Sequence, residues 1–339
     1  MLHIFRVNNY TTYVVAKMVI HQKGLAYSRC RFLTARNLET LPEDSSRTTI
    51  SPYKYQPDPF PAVPKFWTGR QRLRQLDLFV DRLSNRSKFA YYATNYSRKI
   101  NQFFATHKLC REINFLEEGT ACYYSRAHLE ELYAFKGNWK SWLVTKCNYG
   151  ARVKNWGFVP RPALDNYYTL TNHALPGYRT TNVFSGEAFA TQFPQHALKT
   201  HADKSEIILV LDSLATLGYI STIDHIDAVI KAISRLKSFF SNYEPTIYLK
   251  FHPVQSAEER LAFRATLSNE KLNVVYLQDN FVLEGLVFNK SKHVFVGNCS
   301  SILLYAGIFG KTAISFSSLL PASAIPKLPS LYWKYVSQI

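Results

Sequence analysis

Acid is scarce in this chain, and so are cysteine, glycine and long apolar runs. Only 24 Asp and Glu stand against 41 Lys and Arg in 339 residues, leaving a formal charge of +17. The five cysteines, Cys30, Cys110, Cys122, Cys147 and Cys299, are widely spaced and form no CxxC pair. Neither a zinc site nor a disulfide framework can be read from them, and such sparse use fits a reducing compartment. With 13 Gly and 15 Pro the chain is not collagen-like or of low complexity. No apolar run approaches the ~20 residues of a membrane-spanning helix. The opening stretch, MLHIFRVNNYTTYVVAKMV, lacks the unbroken apolar core and small-residue cleavage site of a secretory signal. No repeat of fixed period is present. The expected location is the cytoplasm.

What the chain does have is apolar surface to bury. Hydrophobic residues make up 47% of it and aromatics 15%, which excludes a disordered chain. The length allows two domains of ordinary size. The excess positive charge admits three partners: nucleic acid, an anionic membrane surface, or acidic small-molecule and glycan substrates. Part of it is concentrated over residues 65–99, in Lys65, Arg70, Arg72, Arg74, Arg82, Arg86, Lys88, Arg98 and Lys99, opposed by Asp77 and Asp81. A solvated basic helix face explains that cluster as well as a partner does.

The carboxy-terminal part has the clearer pattern. Strand-like runs at Ile207 to Leu211, Thr246 to Phe251, Leu272 to Leu277, His293 to Val296 and Thr312 to Phe316 alternate with helical segments near 224–240, 256–268, 281–289 and 300–309. Such alternation predicts a parallel sheet wrapped by helices, a Rossmann-like unit over residues 205–318. The amino-terminal part repeats the pattern. Strands are expected at His3 to Val7, Arg29 to Leu33, Phe89 to Ala93 and Glu112 to Leu116, with helices at Tyr13 to His21, 69–84 and 98–110. Residues 40–66 read as a long surface loop. Residues 120–200 give no clear periodicity. Domains are expected at 1–200 and 201–339.

Ligands of such sheets bind beyond the carboxyl ends of the strands, so the polar residues directly after each strand are the candidates. After the strand ending at Leu116 come Glu117, Glu118 and Gly119. A carboxylate there suits a general base that takes a proton from a hydroxyl; a solvated turn is the plainer alternative. After Phe251 come His252 and Pro253. The imidazole can donate to a phosphate leaving group, the proline fixes the turn, and Lys250 lies on the same side of its strand. A capping or core histidine is the alternative. After Val296 the chain runs Gly297-Asn298-Cys299-Ser300-Ser301 into an apolar helix. A helix start with two hydroxyls suits a phosphate, though ordinary capping by serine gives the same sequence. Glu284 lies on the short helix near 281–289, where an acid can accept bonds from ribose hydroxyls; a surface helix acid is the plainer alternative. Asp224, His225 and Asp227 sit at a helix start and are read as dipole-matching residues, not metal ligands.

Taken in order, Glu117-Glu118-Gly119, His252-Pro253 within YLKFHP, and Ser300-Ser301 resemble the D/E-D/E-G, HP and S-S/T motifs of bacterial GT-B sialyltransferases, notably the polysialyltransferase-like and lipooligosaccharide sialyltransferase families. The opening strand with Asn8-Asn9-Tyr10 is similar to the family's start. The resemblance implies an α/β fold of GT-B type, two Rossmann-like domains facing a central cleft. It implies an inverting, metal-independent transfer of a nonulosonic acid from CMP-sialic acid to a hydroxyl of a cell-surface glycan. Residue by residue, Glu117 or Glu118 would be the base, with Glu118 favoured. His252 would protonate or stabilise the departing CMP phosphate. Ser300 and Ser301 would bind that phosphate, supported by Lys250 and Pro253. Glu284 would hold the ribose, and Asn8 and Asn9 would meet the donor sugar. No DxD triplet is present, in keeping with a metal-independent enzyme that needs no cofactor beyond its donor.

Three rivals stand beside this reading, one of them an inactive glycan-binding relative, against which the intact Glu117-Glu118, His252 and Ser300-Ser301 argue. A transferase using another CMP-linked acid such as Kdo shares the same nucleotide logic. A nucleic-acid-binding protein would fit the charge and aromatics, but no recognisable nucleic-acid module is present. An acidic acceptor and peripheral contact with anionic lipid are the expected partners.

Overall fold

The computed structural model describes residues 1–34, 66–133, 139–154, 156–160, 164–178, 182–184, 206–237, 245–270, 272–279, 281–288 and 292–339. The expected loop at 40–66 falls almost wholly outside them. Two compact units divide the chain, Met1–Phe184 and Ser185–Ile339. The expected boundary at 200/201 lies among residues 185–205, also outside the described ones.

The amino-terminal unit is built on six parallel strands: β1 (Leu2–Val7), β2 (Cys30–Thr34), β3 (Phe89–Ala93), β4 (Cys110–Leu116), β5 (Asn166–Thr169) and β6 (Asn182–Val183), in the order β2-β1-β3-β4-β5-β6. All five residues of β3 are buried, so both faces of the sheet are covered. The helix Tyr10–Gln22 is buried along Thr11 to Ile20, which makes it a core element and not an amphipathic surface helix. The helix Phe66–Leu83 turns Arg70, Arg72, Arg74 and Arg82 to solvent and buries Leu76 and Val80. Its acids face inward: Asp77 takes the Arg152 guanidinium at 2.5 Å, and His107 lies near both Asp77 and Asp81.

The carboxy-terminal unit has its own six parallel strands: β7 (Ile207–Val210), β8 (Ile247–Lys250), β9 (Val274–Tyr276), β10 (Val294–Gly297), β11 (Thr312–Ser315) and β12 (Ser337–Gln338). Their order, β12-β11-β10-β7-β8-β9, counted from β7 and read from the β9 edge, is 3-2-1-4-5-6, that of the dinucleotide-binding fold. The core gathers β7, β8 and the helices Thr222–Lys237 and Ala257–Asn269 around Leu209, Val229, Leu249 and Phe263.

Both units are Rossmann-like, as expected, with corrections at the edges. The helix expected over 98–110 runs only Lys99–Ala105, and β4 begins at Cys110 rather than Glu112. Thr106 caps that helix by donating its hydroxyl to the Gln102 carbonyl, and His107 is buried beyond it. The helix expected over 281–289 shortens to Glu284–Phe288. The unparsed stretch after 120 supplies the helices Arg126–Tyr133 and Trp139–Tyr149 and the strands β5 and β6.

Candidate functional site

In a doubly wound sheet the ligand crevice opens where neighbouring strands send their connections to opposite sides. In the amino-terminal unit that point lies between β1 and β3, next to the end of β4. Asn8 and Asn9 follow β1, Thr94 follows β3, and Glu117 and Glu118 follow β4. Asn8, Asn9, Thr94 and Glu118 form one hydrogen-bonded group. The Asn8 amide donates to the Thr94 hydroxyl at 2.9 Å and to Glu118 Oε1 at 3.0 Å. The Asn9 amide donates to the Glu118 carbonyl at 3.0 Å. Asn9 also caps the helix Tyr10–Gln22, its Oδ1 accepting the Thr12 N–H at 2.8 Å. Asn8 and Asn9, expected at the donor sugar, are thus engaged with Glu118.

The two glutamates differ sharply. Glu117 is fully buried. Its Oε1 accepts the Tyr123 hydroxyl at 2.8 Å and its Oε2 the Leu170 N–H at 2.6 Å. It ties the end of β4 to the turn after β5. Burial, and then the Glu117 charge, hold the Tyr123 phenol well above its usual range, so it stays a proton donor. Glu118 is half-buried. Its N–H donates to Cys122 Sγ at 3.3 Å, and the next residue, Gly119, turns the chain at φ +106°. Only glycine enters that region without strain. Burial pushes the Cys122 thiol up, which excludes a thiolate there.

In the carboxy-terminal unit the crevice lies between β7 and β10. Asp212, just after β7, accepts the Cys299 N–H at 3.3 Å, just after β10. Burial raises its carboxyl to about 6. Gly297 allows the two strands this close approach, for a Cβ there would meet the Val210 carbonyl at 2.9 Å. Ser300 is the N-cap of the helix Ser301–Ile308, its Oγ accepting the Ile302 N–H at 3.4 Å. Both serines are half-buried. Tyr332 holds the turn by donating to the Ser300 carbonyl at 3.1 Å.

His252 stands half-exposed at the end of β8. Its Nδ1 accepts the Val254 N–H at 3.2 Å, so the neutral ring carries its proton on Nε2. Its backbone N–H donates to Gln255 Oε1 at 2.7 Å, and its carbonyl accepts from Arg260 at 3.1 Å. Pro253 has no N–H and serves the turn. Lys250 is buried and donates to the Gln278 carbonyl, so it supports the turn after β9. Glu284 is buried at the first position of its helix.

Asp212, Gln255 and Glu259 were missed from the sequence. Asp212 directly follows a predicted strand, the position that identified the other candidates. Ser256 and Glu259 are spaced as a capping box. His225 is buried, and its Nδ1 meets Glu259 at 3.2 Å. Among the described residues, no group of three His, Cys, Asp or Glu side chains is placed to hold a metal ion.

Similar folds occur among solved structures. A 2,6-sialyltransferase of Photobacterium sp. JT-ISH-224, in a ternary complex with CMP and lactose, matches at TM-score 0.57 and 10% identity, over 89% of this chain and 68% of that one. A sialyltransferase from Photobacterium damsela matches at 0.54 and 12%, over 100% and 81%. S. aureus MnaA with UDP matches at 0.52 and 13%, over 93% and 79%. At such identity the likeness is one of fold. A search of curated sequences finds no match. The sequence profile described as alpha-2,8-polysialyltransferase (POLYST) matches residues 49–317. That span is more than half of the chain and holds the Glu117-Glu118-Gly119 and His252-Pro253 turns and both serines. The chain belongs to the alpha-2,8-polysialyltransferase family and is a glycosyltransferase.

Proposed function

We propose that the protein transfers sialic acid from CMP-sialic acid, with inversion and without a metal ion or other cofactor, to a hydroxyl of a glycan acceptor that itself ends in sialic acid. One observation carries the choice of base. Of two adjacent carboxylates, Glu117 is buried with both oxygens engaged, and Glu118 is half-exposed and oriented by Asn8. Glu118 takes the proton of the acceptor hydroxyl as it attacks the anomeric carbon. Glu117 holds the turn.

The carboxy-terminal unit handles the leaving group. As the bond to CMP breaks, negative charge grows on the phosphate oxygens. Nε2–H of His252, the hydroxyls of Ser300 and Ser301, and the start of the helix Ser301–Ile308 stabilise it. Glu284 receives the ribose hydroxyls. CMP in the Photobacterium 2,6-sialyltransferase complex supports this choice of nucleotide. The family's description supports a sialylated acceptor. Such an acceptor is acidic, and the exposed arginines 70, 72, 74 and 82 suit it, as they suit anionic lipid head groups. No described helix is long and apolar enough to cross a membrane.

Mass spectrometry of reactions containing EDTA tests this. CMP-sialic acid with a disialylated lactoside should give a product one sialic acid longer. Transfer from CMP-Kdo alone, or a requirement for added metal, would refute the assignment.

A further inference from the structure

Glu259 is a buried acid with several hydrogen bonds at the carboxyl edge of the second unit, and the mechanism above gives it no role. It is 2% exposed. Its Oε2 accepts the N–H and hydroxyl of Thr216 at 3.2 and 2.5 Å, from the turn after β7. Its Oε1 accepts Gln255 Nε2 at 2.9 Å and meets His225 Nδ1 at 3.2 Å. Burial keeps the His225 pKa below its usual value, so its ring is a neutral donor there. Charge-assisted bonds of this kind offset the cost of burying the carboxylate.

The local sequence promises something simpler. In a capping box the glutamate three residues after the N-cap serine returns to the serine's own N–H. Here Ser256 does cap the helix Ala257–Asn269, accepting the Glu259 N–H at 3.1 Å. Its own N–H goes instead to Thr216 Oγ1 at 3.0 Å. The carboxylate is released from capping and turned toward Gln255.

That turn has a direction. A carboxylate only accepts, so Gln255 must point its NH2 group at Glu259 and its carbonyl oxygen at the His252 N–H. The His252–Gln255 turn is thereby closed, with the Val254 N–H set on the imidazole Nδ1. We infer that Glu259 is a positioning residue for His252, setting through Gln255 the polarity of the turn that leaves the ring's proton on Nε2, facing the departing phosphate. The inference rests on the role given to His252 above.

Its test separates polarity from shape. Glu259→Gln keeps the volume but puts an NH2 group where an acceptor is needed, so Gln255 can turn its own NH2 toward His252. The double variant Gln255→Glu with Glu259→Gln restores an acceptor for the His252 N–H and a donor to position 255. Nitrogen-15 NMR of the histidine rings reads the tautomer, and kcat with CMP-sialic acid reads the consequence. In Glu259→Gln, His252 should lose its pure Nε2–H tautomer and kcat should fall about ten-fold or more. The swap should recover both. If Glu259→Gln does not fold, Gln255→Ala carries the same two readouts, with the same losses expected. A folded Glu259→Gln or Gln255→Ala with wild-type tautomer and kcat would overturn the inference. A restored tautomer with kcat indifferent even to His252→Ala would instead remove His252 from the reaction and leave the positioning standing.

Discussion

Asn8 Nδ2 donates to Glu118 Oε1 at 3.0 Å, and through that bond the residue after β1 orients the carboxylate after β4. The bond predicts a rate effect without a donor-binding effect. Asn8→Ala should lower kcat by about ten- to a hundred-fold, because an unoriented base is used less often. KM for CMP-sialic acid should stay near wild type. Steady-state kinetics decide this. A large rise in donor KM with kcat preserved would place Asn8 on the donor sugar instead.

Glu117→Gln should cost stability. The amide replaces one of two acceptors with a donor, opposite either the Tyr123 hydroxyl or the Leu170 N–H. Opposite the Leu170 N–H a buried donor is left unsatisfied; opposite the Tyr123 hydroxyl, which can also accept, a charge-assisted bond becomes a neutral one. The cost is about 1–3 kcal/mol. The urea midpoint should fall with the slope unchanged. An unmoved midpoint would mean that the carboxylate holds nothing.

Gly297→Ala should strain the second unit. Its Cβ would sit 2.9 Å from the Val210 carbonyl and 3.4 Å from a Leu303 methyl. Forcing β7 and β10 apart costs about 1–3 kcal/mol and displaces the turn that leads to Ser300. Calorimetry should show a lower melting midpoint, and titration with CMP weaker binding. Wild-type values for both would show that the strands part without consequence.

Asp212 links stability to pH. Burial raises its carboxyl from 3.8 to about 6. Between those values the folded protein keeps a proton that the unfolded chain has released. Its contribution is therefore full below 3.8 and is lost as pH rises through about 6. Asp212→Asn removes that loss. Its melting midpoint should gain on the wild type from pH 4 to pH 8, and a constant difference would contradict the shift.

The fold could be read from the sequence wherever burial makes strands continuous. Ile207 to Val210 and Phe89 to Ala93 are apolar because both sheet faces are covered, and such runs stand out. Between residues 120 and 184 the signal fails for a physical reason. β5 reads Asn-Tyr-Tyr-Thr and the edge strand β6 only Asn-Val, short segments whose side chains alternate weakly. The candidate residues were legible by position, because each of the three motifs lies just past a strand end. What each one does was not. Glu117 and Glu118 are chemically identical neighbours, and only the partners Tyr123, Leu170 and Asn8 tell them apart. Those partners lie up to 110 positions away in sequence, and so does the information.

Glu118→Gln against Glu117→Gln, each assayed for sialic acid transfer from CMP-sialic acid to a disialylated lactoside, is the most direct test of the proposed reaction. Glu118→Gln should stay folded, bind CMP as the wild type does, and lose transfer by about a hundred-fold or more. Glu117→Gln should retain transfer in proportion to the protein that remains folded. Undiminished transfer by folded Glu118→Gln would contradict its assignment as the base.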